Sequence, residues 1–246
     1  MKLLQLNIWM GRLSRQILPL IEREKPDIIT AQEVFSTAQP IRFPDATFDI
    51  FERMMTAGHF ADGYFSPTFN LTVAKQSVGF GNAILSKFPI LKRETSFTHG
   101  QFQPDMTVAD FEPNTRNFQL VTIKTPLGQV HVCNHHGYWE ARPEGSAKTY
   151  EAMQIVATAL RRVEGPLLFA GDLNINPNAE TMGLFGSFLK NQTATHGITN
   201  TLSPLGKVQN VACDHILTNE QVTVQGFRVL DEIVSDHKAL VVEFEI

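Results

Sequence analysis

The chain has only two cysteines, Cys133 and Cys213, in 246 residues, and no Cys/His cluster has zinc spacing, which argues against a structural zinc site. Both cysteines sit in apolar segments that read as strands, as small buried hydrophobes, and a reducing, cytoplasmic compartment fits them. Basic runs are scarce as well: no Lys/Arg stretch exceeds two residues, and the formal charge is -4. That disfavours a protein that tracks long duplex nucleic acid through phosphate contacts, but not a nuclease, whose active site supplies its own cations. No apolar run reaches the roughly 18 residues of a membrane-spanning helix. The opening MKLLQLNIWMGR is broken by Gln5 and Asn7 and has no small-residue cleavage site after it, so it does not read as a signal peptide. Internal repeats are absent, and the glycines around Gly79 and Gly81 are too few for a nucleotide-cradling loop.

What is present is the composition of an ordinary globular protein, 43% hydrophobic and 19% charged, able to bury a sizeable core. Short β-rich runs recur at 3–8, 27–33, 82–85, 118–124, 130–136, 167–171, 215–217, 222–229 and 239–245. The clearest helical pattern spans 146–162, where Tyr150, Met153, Ile155, Val156, Ala159, Leu160 and Val163 form an apolar stripe. A second covers 14–24, with Ser14 as its cap and Pro19 near its first turn, and a shorter third covers 178–188. Strands outnumber helices, and the turn Thr125-Pro126-Leu127-Gly128 links two runs as a hairpin, so a largely antiparallel α/β protein with two sheets is expected. Residues 36–78 and 96–117 have weak periodicity and read as long loops or edge strands, where substrate selection often resides. One domain over 1–246 is expected, because polar motifs at both chain ends feed one site and no linker intervenes.

Those motifs are polar residues at the ends of apolar strands: Asn7, Glu33, His136, Asp172 with Asn174, Asp214, and Asp236 with His237. Each alone has an ordinary explanation as a turn former, strand terminus or loop ion pair. Six strand ends, each delivering a carboxylate, amide or imidazole, are better explained by one cleft. Alternation lets Asp172 and Asn174 point together, and puts Asn134 and His136 on one face with His135 on the other. It does not fix which histidine enters the cleft.

The segments LQLNIW around Asn7, AQEV around Glu33, GFGNAILSKFPI from Gly79 to Ile90, CNHHG around His136, GDLNINP from Gly171 to Pro177, CDHIL around Asp214 and SDHKAL around Asp236 resemble the endonuclease/exonuclease/phosphatase superfamily over almost the whole chain. The resemblance implies a four-layer α/β/β/α sandwich of two mostly antiparallel sheets with the cleft at one edge. It also implies a metal shell of Glu33 with Asn7 beside it and Asp236 touching metal. Asp172 would position or activate the attacking water, Asn174 would hold a phosphate oxygen, and His136 would stabilise the pentacovalent phosphorus or help the leaving group. Asp214 would orient His237, with Asp172 or His237 as the base. Oxygen donors of this kind suit magnesium, or manganese in its place. Asn82 is a candidate phosphate neighbour, and Trp139 and Arg142 are candidate substrate contacts, by stacking and by pairing a phosphate.

The expected activity is metal-dependent phosphodiester hydrolysis, on nucleic acid or a small diester, by a monomer with no evident partner protein. A phosphomonoesterase of the inositol-phosphatase kind would use the same core, but the Trp/Arg/Cys-containing stretch of those enzymes is not matched by GKVQNVAC before Asp214. AQEV likewise departs from the form common in abasic-site nucleases, which leaves lipid head groups, nucleotides and RNA open. A non-catalytic binding module is the third reading, and the intact acidic and imidazole set speaks against it.

Overall fold

The computed structural model describes residues 1–43, 45–106 and 114–246, with Arg42 and Phe43 described through their backbone. Two six-stranded sheets stack face to face, and β3 (Arg42–Phe43) and β4 (Ala46–Thr47) pair separately as a small antiparallel sheet. The first runs β13 (Thr223–Val229), β14 (Leu240–Glu245), β1 (Lys2–Asn7), β2 (Ile28–Ser36), β6 (Gln76–Ser86), β5 (Asp62–Val73). The second runs β11 (Lys190–Asn191), β12 (Asp214–Thr218), β10 (Leu167–Asp172), β9 (Gly128–His136), β8 (Arg116–Thr125), β7 (Ile90–His99). Each is mixed: β1 with β2 and β9 with β10 are parallel, and the remaining pairs are antiparallel.

Period-two alternation sorts the strand residues into layers. Leu3, Ile28, Val130, Val132, Leu168, Ala170 and Ile216 point between the sheets. Leu4, Leu6, Ile29 and Ala31 point outward, against Ile17, Leu20 and Ile21 of α1 (Ser14–Glu24) and Met54 of α2 (Ile50–Ala57). Cys133, Phe169 and Leu217 take the opposite outer face, under Met153, Val156 and Leu160 of α3 (Ala147–Leu160). The layers are therefore α/β/β/α. Close approach of strands explains two glycines in the motifs, since a Cβ on Gly81 would strike the Ser66 carbonyl of β5 and one on Gly171 the His135 carbonyl of β9.

Several local expectations change. Ser14 is not the cap of α1; Leu13 holds that place without a side-chain bond, and the Ser14 hydroxyl accepts from Thr47 Oγ1 at 3.0 Å. Pro19 lies inside α1 rather than in its first turn, on the exposed side, which keeps its ring off the buried face of the helix. Tyr150 and Ile155 fall off the buried stripe of α3, at 40% and 44% exposure, and Ser146 caps that helix by accepting from Lys148 N and Thr149 N. The third helix is a single 3₁₀ stretch, Glu180–Leu184. The weakly periodic 36–78 stretch contains α2 and the edge strand β5, and the charged strand β7 forms an edge of the second sheet, a usual guard against edge pairing. Within 96–117, residues 107–113 lie outside the described residues. No helix among the described residues is long and apolar enough to cross a membrane.

Candidate active site

The ends of β1, β9 and β10, the start of β12 and the turn before β14 meet at one edge of the paired sheets. Asn7, His136 and Asp172 are the last residues of their strands and Asp214 the first of its own, each on the inward face with the alternating apolar residues behind it. Glu33 would face outward under strict alternation, beside Ala31. A bulge prevents this: three steps of β2, from Ala31 to Val34, match two of β6, from Ala83 to Gly81, and Glu33 takes a left-handed φ of 56°. The extra residue turns the carboxylate toward Asn7.

Beneath the site a layer of buried amides ties the sheets together. Gln32 Nε2 donates to Asn134 Oδ1 at 2.6 Å, and Asn134 Nδ2 donates to Gln119 Oε1 at 3.0 Å and to the carbonyls of Ala31 and Ala83. Gln5 accepts from Thr30 Oγ1 at 2.8 Å and reaches Asp214 Oδ1 at 3.4 Å. Low surroundings polarity makes a fully paired network of this kind rigid.

Asp172 divides its work between two oxygens. Oδ1 accepts from Asn174 N at 3.0 Å and fixes the turn, in which Asn174 has a φ of 57°. Oδ2 accepts from Asn7 Nδ2 at 3.0 Å and lies 3.5 Å from His136 Nε2 and 3.6 Å from His237 Nε2. The other side of the His237 ring donates from Nδ1 to Asp214 Oδ2 at 2.8 Å, and Asp214 also accepts from Thr201 Oγ1 at 2.7 Å. Asp236 accepts from Ser235 Oγ at 3.0 Å. Asn7 differs from its expected part, because its oxygen accepts from Trp9 N at 3.1 Å and it presents its NH2 to Glu33 and Asp172.

The charges are strongly coupled. Burial works against the charged imidazole of His237, but the Asp214 and Asp172 carboxylates outweigh it and hold the ring well above its ordinary range. Burial, then the Arg116 guanidinium and His237, push His136 well below. Arg116 Nη1 lies 3.5 Å from His136 Nδ1 and can only donate, so the neutral ring carries its proton on Nε2, toward Asp172. Burial raises Glu33, and Asp236 and Asp172 add to it. Burial also raises Asp172, with Asp214 adding, against His237 and Asn7. Asp172, Cys213 and His237 each bring one ligand atom within 4.8 Å of the others.

These groups open into a cleft of about 640 Å³ that Glu33, His136, Asp172, Asn174, Asp236, His237 and Trp139 line. Asn82 and Arg142 do not line it. Asn82 is buried and donates to Asn117 Oδ1 at 2.8 Å, and Arg142 is exposed beyond the cleft. Sequence reasoning missed Arg116, which donates from Nε to Gly137 O at 2.8 Å at the cleft wall. A single arginine at a strand start carries no signal. Cys213 is buried as expected but precedes β12 rather than lying in it, and its Sγ lies 3.6 Å from Asp214 Oδ2 and 3.9 Å from His237 Nδ1.

The adjacent histidines part as alternation requires, with His136 in the cleft and His135 on the outer face, fully buried, its Nδ1 2.9 Å from Asn117 O. Burial lowers the His135 pKa to about 4, from the usual 6.5. The unfolded chain therefore binds a proton that the folded one refuses, so stability is full above the unfolded value and falls as pH drops from 6.5 toward 4, by about 3 kcal/mol in total. Urea melts at pH 7 and 4.5 should show a smaller loss in His135→Asn than in the parent; equal losses would contradict this assignment.

A family model described as Endonuclease/Exonuclease/phosphatase family matches residues 4–237, and the chain belongs to that family, whose members are mostly phosphoester hydrolases and generally use divalent metals. No curated protein matches the sequence significantly. Among solved structures, an endonuclease/exonuclease/phosphatase from Beutenbergia cavernae superposes with a TM-score of 0.74 at 18% identity, over 100% of this chain and 71% of that one. A mannosyl-6-phosphatase from Bacteroides thetaiotaomicron gives 0.74 at 17%, over 100% of both chains. The human Nocturnin catalytic domain with bound sulfate gives 0.71 at 17%, over 100% of this chain and 94% of that one. At such identities the likeness establishes the fold.

Proposed function

We propose that the chain is a divalent-metal-dependent phosphodiesterase, with residues 1–246 acting as one catalytic domain. The observation that carries this reading is the meeting of Asn7, His136 and His237 on the single oxygen Asp172 Oδ2, beside Glu33 and Asp236. The donor set fits a hard dication, since crowded carboxylates held above their usual range are relieved by one. Glu33 and Asp236 would hold magnesium, or manganese, and Asn7 would orient Glu33 and Asp172 through its NH2. When bound, such an ion neutralises phosphate oxygens and offsets charge on the leaving group.

The remaining work belongs to side chains. His237, held well above its ordinary range by Asp214 and Asp172, is the weaker proton acceptor, which favours Asp172 as the group that aligns the attacking water and takes its proton. His237 then stabilises negative charge building on the phosphoryl oxygens. Neutral His136 presents Nε2–H to the same oxygens or to the leaving group. Asn174 spends one N–H on Gly137 O at 3.1 Å and keeps a second for a phosphate oxygen. Both cysteines are buried and unpaired, which supports a reducing, cytoplasmic compartment.

The mannosyl-6-phosphatase on the same fold keeps a monoester reading in play. A monoester dianion needs more cationic neutralisation than a diester, and among the described residues the lining supplies only Arg116 and Lys207 besides histidines, so the diester is favoured. With magnesium, bis-p-nitrophenyl phosphate should be hydrolysed faster than p-nitrophenyl phosphate, and excess chelator should abolish both. Turnover indifferent to chelator would defeat the metal reading; a preference for the monoester would select the alternative.

A further inference from the structure

We propose that the cleft selects phosphate esters that carry a large apolar group, a ring or an acyl chain, an inference that rests on the hydrolase reading above. The acidic cluster occupies one part of the cleft, and the hollow of about 640 Å³ is far larger than a phosphoryl group requires. Much of the remainder is apolar wall. Phe35, Phe69, Phe80 and Met106 line it, joined by Val208 and Val211 from the loop before β12.

The aromatic part is prebuilt: Phe80 is partly exposed and is backed by the buried rings of Phe69 and Phe35. Phe69 and Phe80 are register partners on β5 and β6, their rings 4.8 Å apart and 20° from parallel, and Phe35 of β2 stands 5.0 Å from Phe80. Three rings fixed on three neighbouring strands lose little freedom when a ligand binds. At the mouth, Trp139 and Val208 are left 53% and 54% exposed, a cost in water that a covering apolar group would relieve.

Charge points the same way. Lys207 and Arg116 are the cationic lining residues among those described, and Arg116 is already engaged with Gly137 O and His136. Besides Glu33, Asp172 and Asp236 at the reacting end, the lining adds Glu140, so a second phosphate of a polyphosphorylated sugar or long polyanion meets a further carboxylate rather than a cluster of cations. A ligand with one phosphate and an apolar body suits both halves.

Calorimetric titration in magnesium buffer with dimethylphosphinate, methylphenylphosphinate and dodecylmethylphosphinate tests this, because the three are monoanions like a diester, share a head group and differ in the apolar body. The phenyl or dodecyl compound should bind at least about tenfold more tightly than the dimethyl compound, and which of the two gains more tells a ring from a chain. The advantage should shrink in Phe80→Ser and in Val208→Ser, the second being a surface change that leaves folding intact. Equal dissociation constants for the three, or no binding of any, would overturn the selection; hydrolysis of bis-p-nitrophenyl phosphate would still stand, so the two readings fail separately.

Discussion

His237→Ala is expected to lower kcat by about 10²–10⁴-fold, the range for a positioned proton-transfer or charge-stabilising group. The geometry explains why so much depends on this ring. Nδ1–H is held at 2.8 Å by Asp214, a carboxylate with no solvent exposure that Thr201 and Gln5 also fix, so Nε2 must face Asp172. The same carboxylates hold the ring well above its ordinary range against its burial. Asp214→Asn should therefore cost less than His237→Ala and do something that a packing defect would not. With one carboxylate gone the histidine titrates lower, and the limb of the pH–rate profile that reports it should move to lower pH. Full activity in His237→Ala, or a reduced Asp214→Asn rate with an unmoved profile, would remove His237 from the chemistry.

Much of the site was legible because strand alternation is a strict geometric rule. It placed Asn134 with His136 and sent His135 to the other face, whereas Asn174 shares the cleft with Asp172 through a left-handed turn beyond the strand. The motif order carried the two-sheet sandwich. What escaped was set by departures from alternation and by partners distant in sequence. Glu33 reaches the site through a bulge and a left-handed backbone that no periodicity announces. Asn82 and Asn117 pair across the interior, so an amide that reads as a phosphate neighbour is consumed by a strand 35 residues away. Arg116 and the aromatic wall lie in or beside the weakly periodic stretches read as long loops or edge strands; β5 is an edge strand, but weak periodicity gives no sign of which side chains line the cleft. The helix α2 was hidden for the same reason, its single buried face of Ile50 and Met54 being too short to register.

Asp172→Asn is expected to cut activity about as deeply as Asp172→Ala, by about 10²–10⁴-fold, while leaving the fold more stable than the parent in the metal-free protein. The two halves of this expectation come from different oxygens. An asparagine keeps an Oδ1 that can accept from Asn174 N, so the turn that Asp172 closes survives. In place of Oδ2, where Asn7, His136 and His237 converge, it carries an NH2 that can accept neither the water proton nor the bond from Asn7, so the expected gain in stability requires that relief of the buried charge exceed the loss of that bond. The stability sign follows from the raised pKa of a side chain that is 1% exposed: the folded state disfavours the ionised form, so the cost grows as pH rises through the unfolded value and is complete above the folded one. Removing the charge should therefore raise the melting temperature at pH 8 with chelator present. An asparagine variant that is both slower and less stable would mean that Asp172 is a structural turn residue; one that keeps parental turnover would mean that its charge takes no part in the reaction. Lower activity with higher stability is the signature of a carboxylate held at a cost to folding for the sake of chemistry.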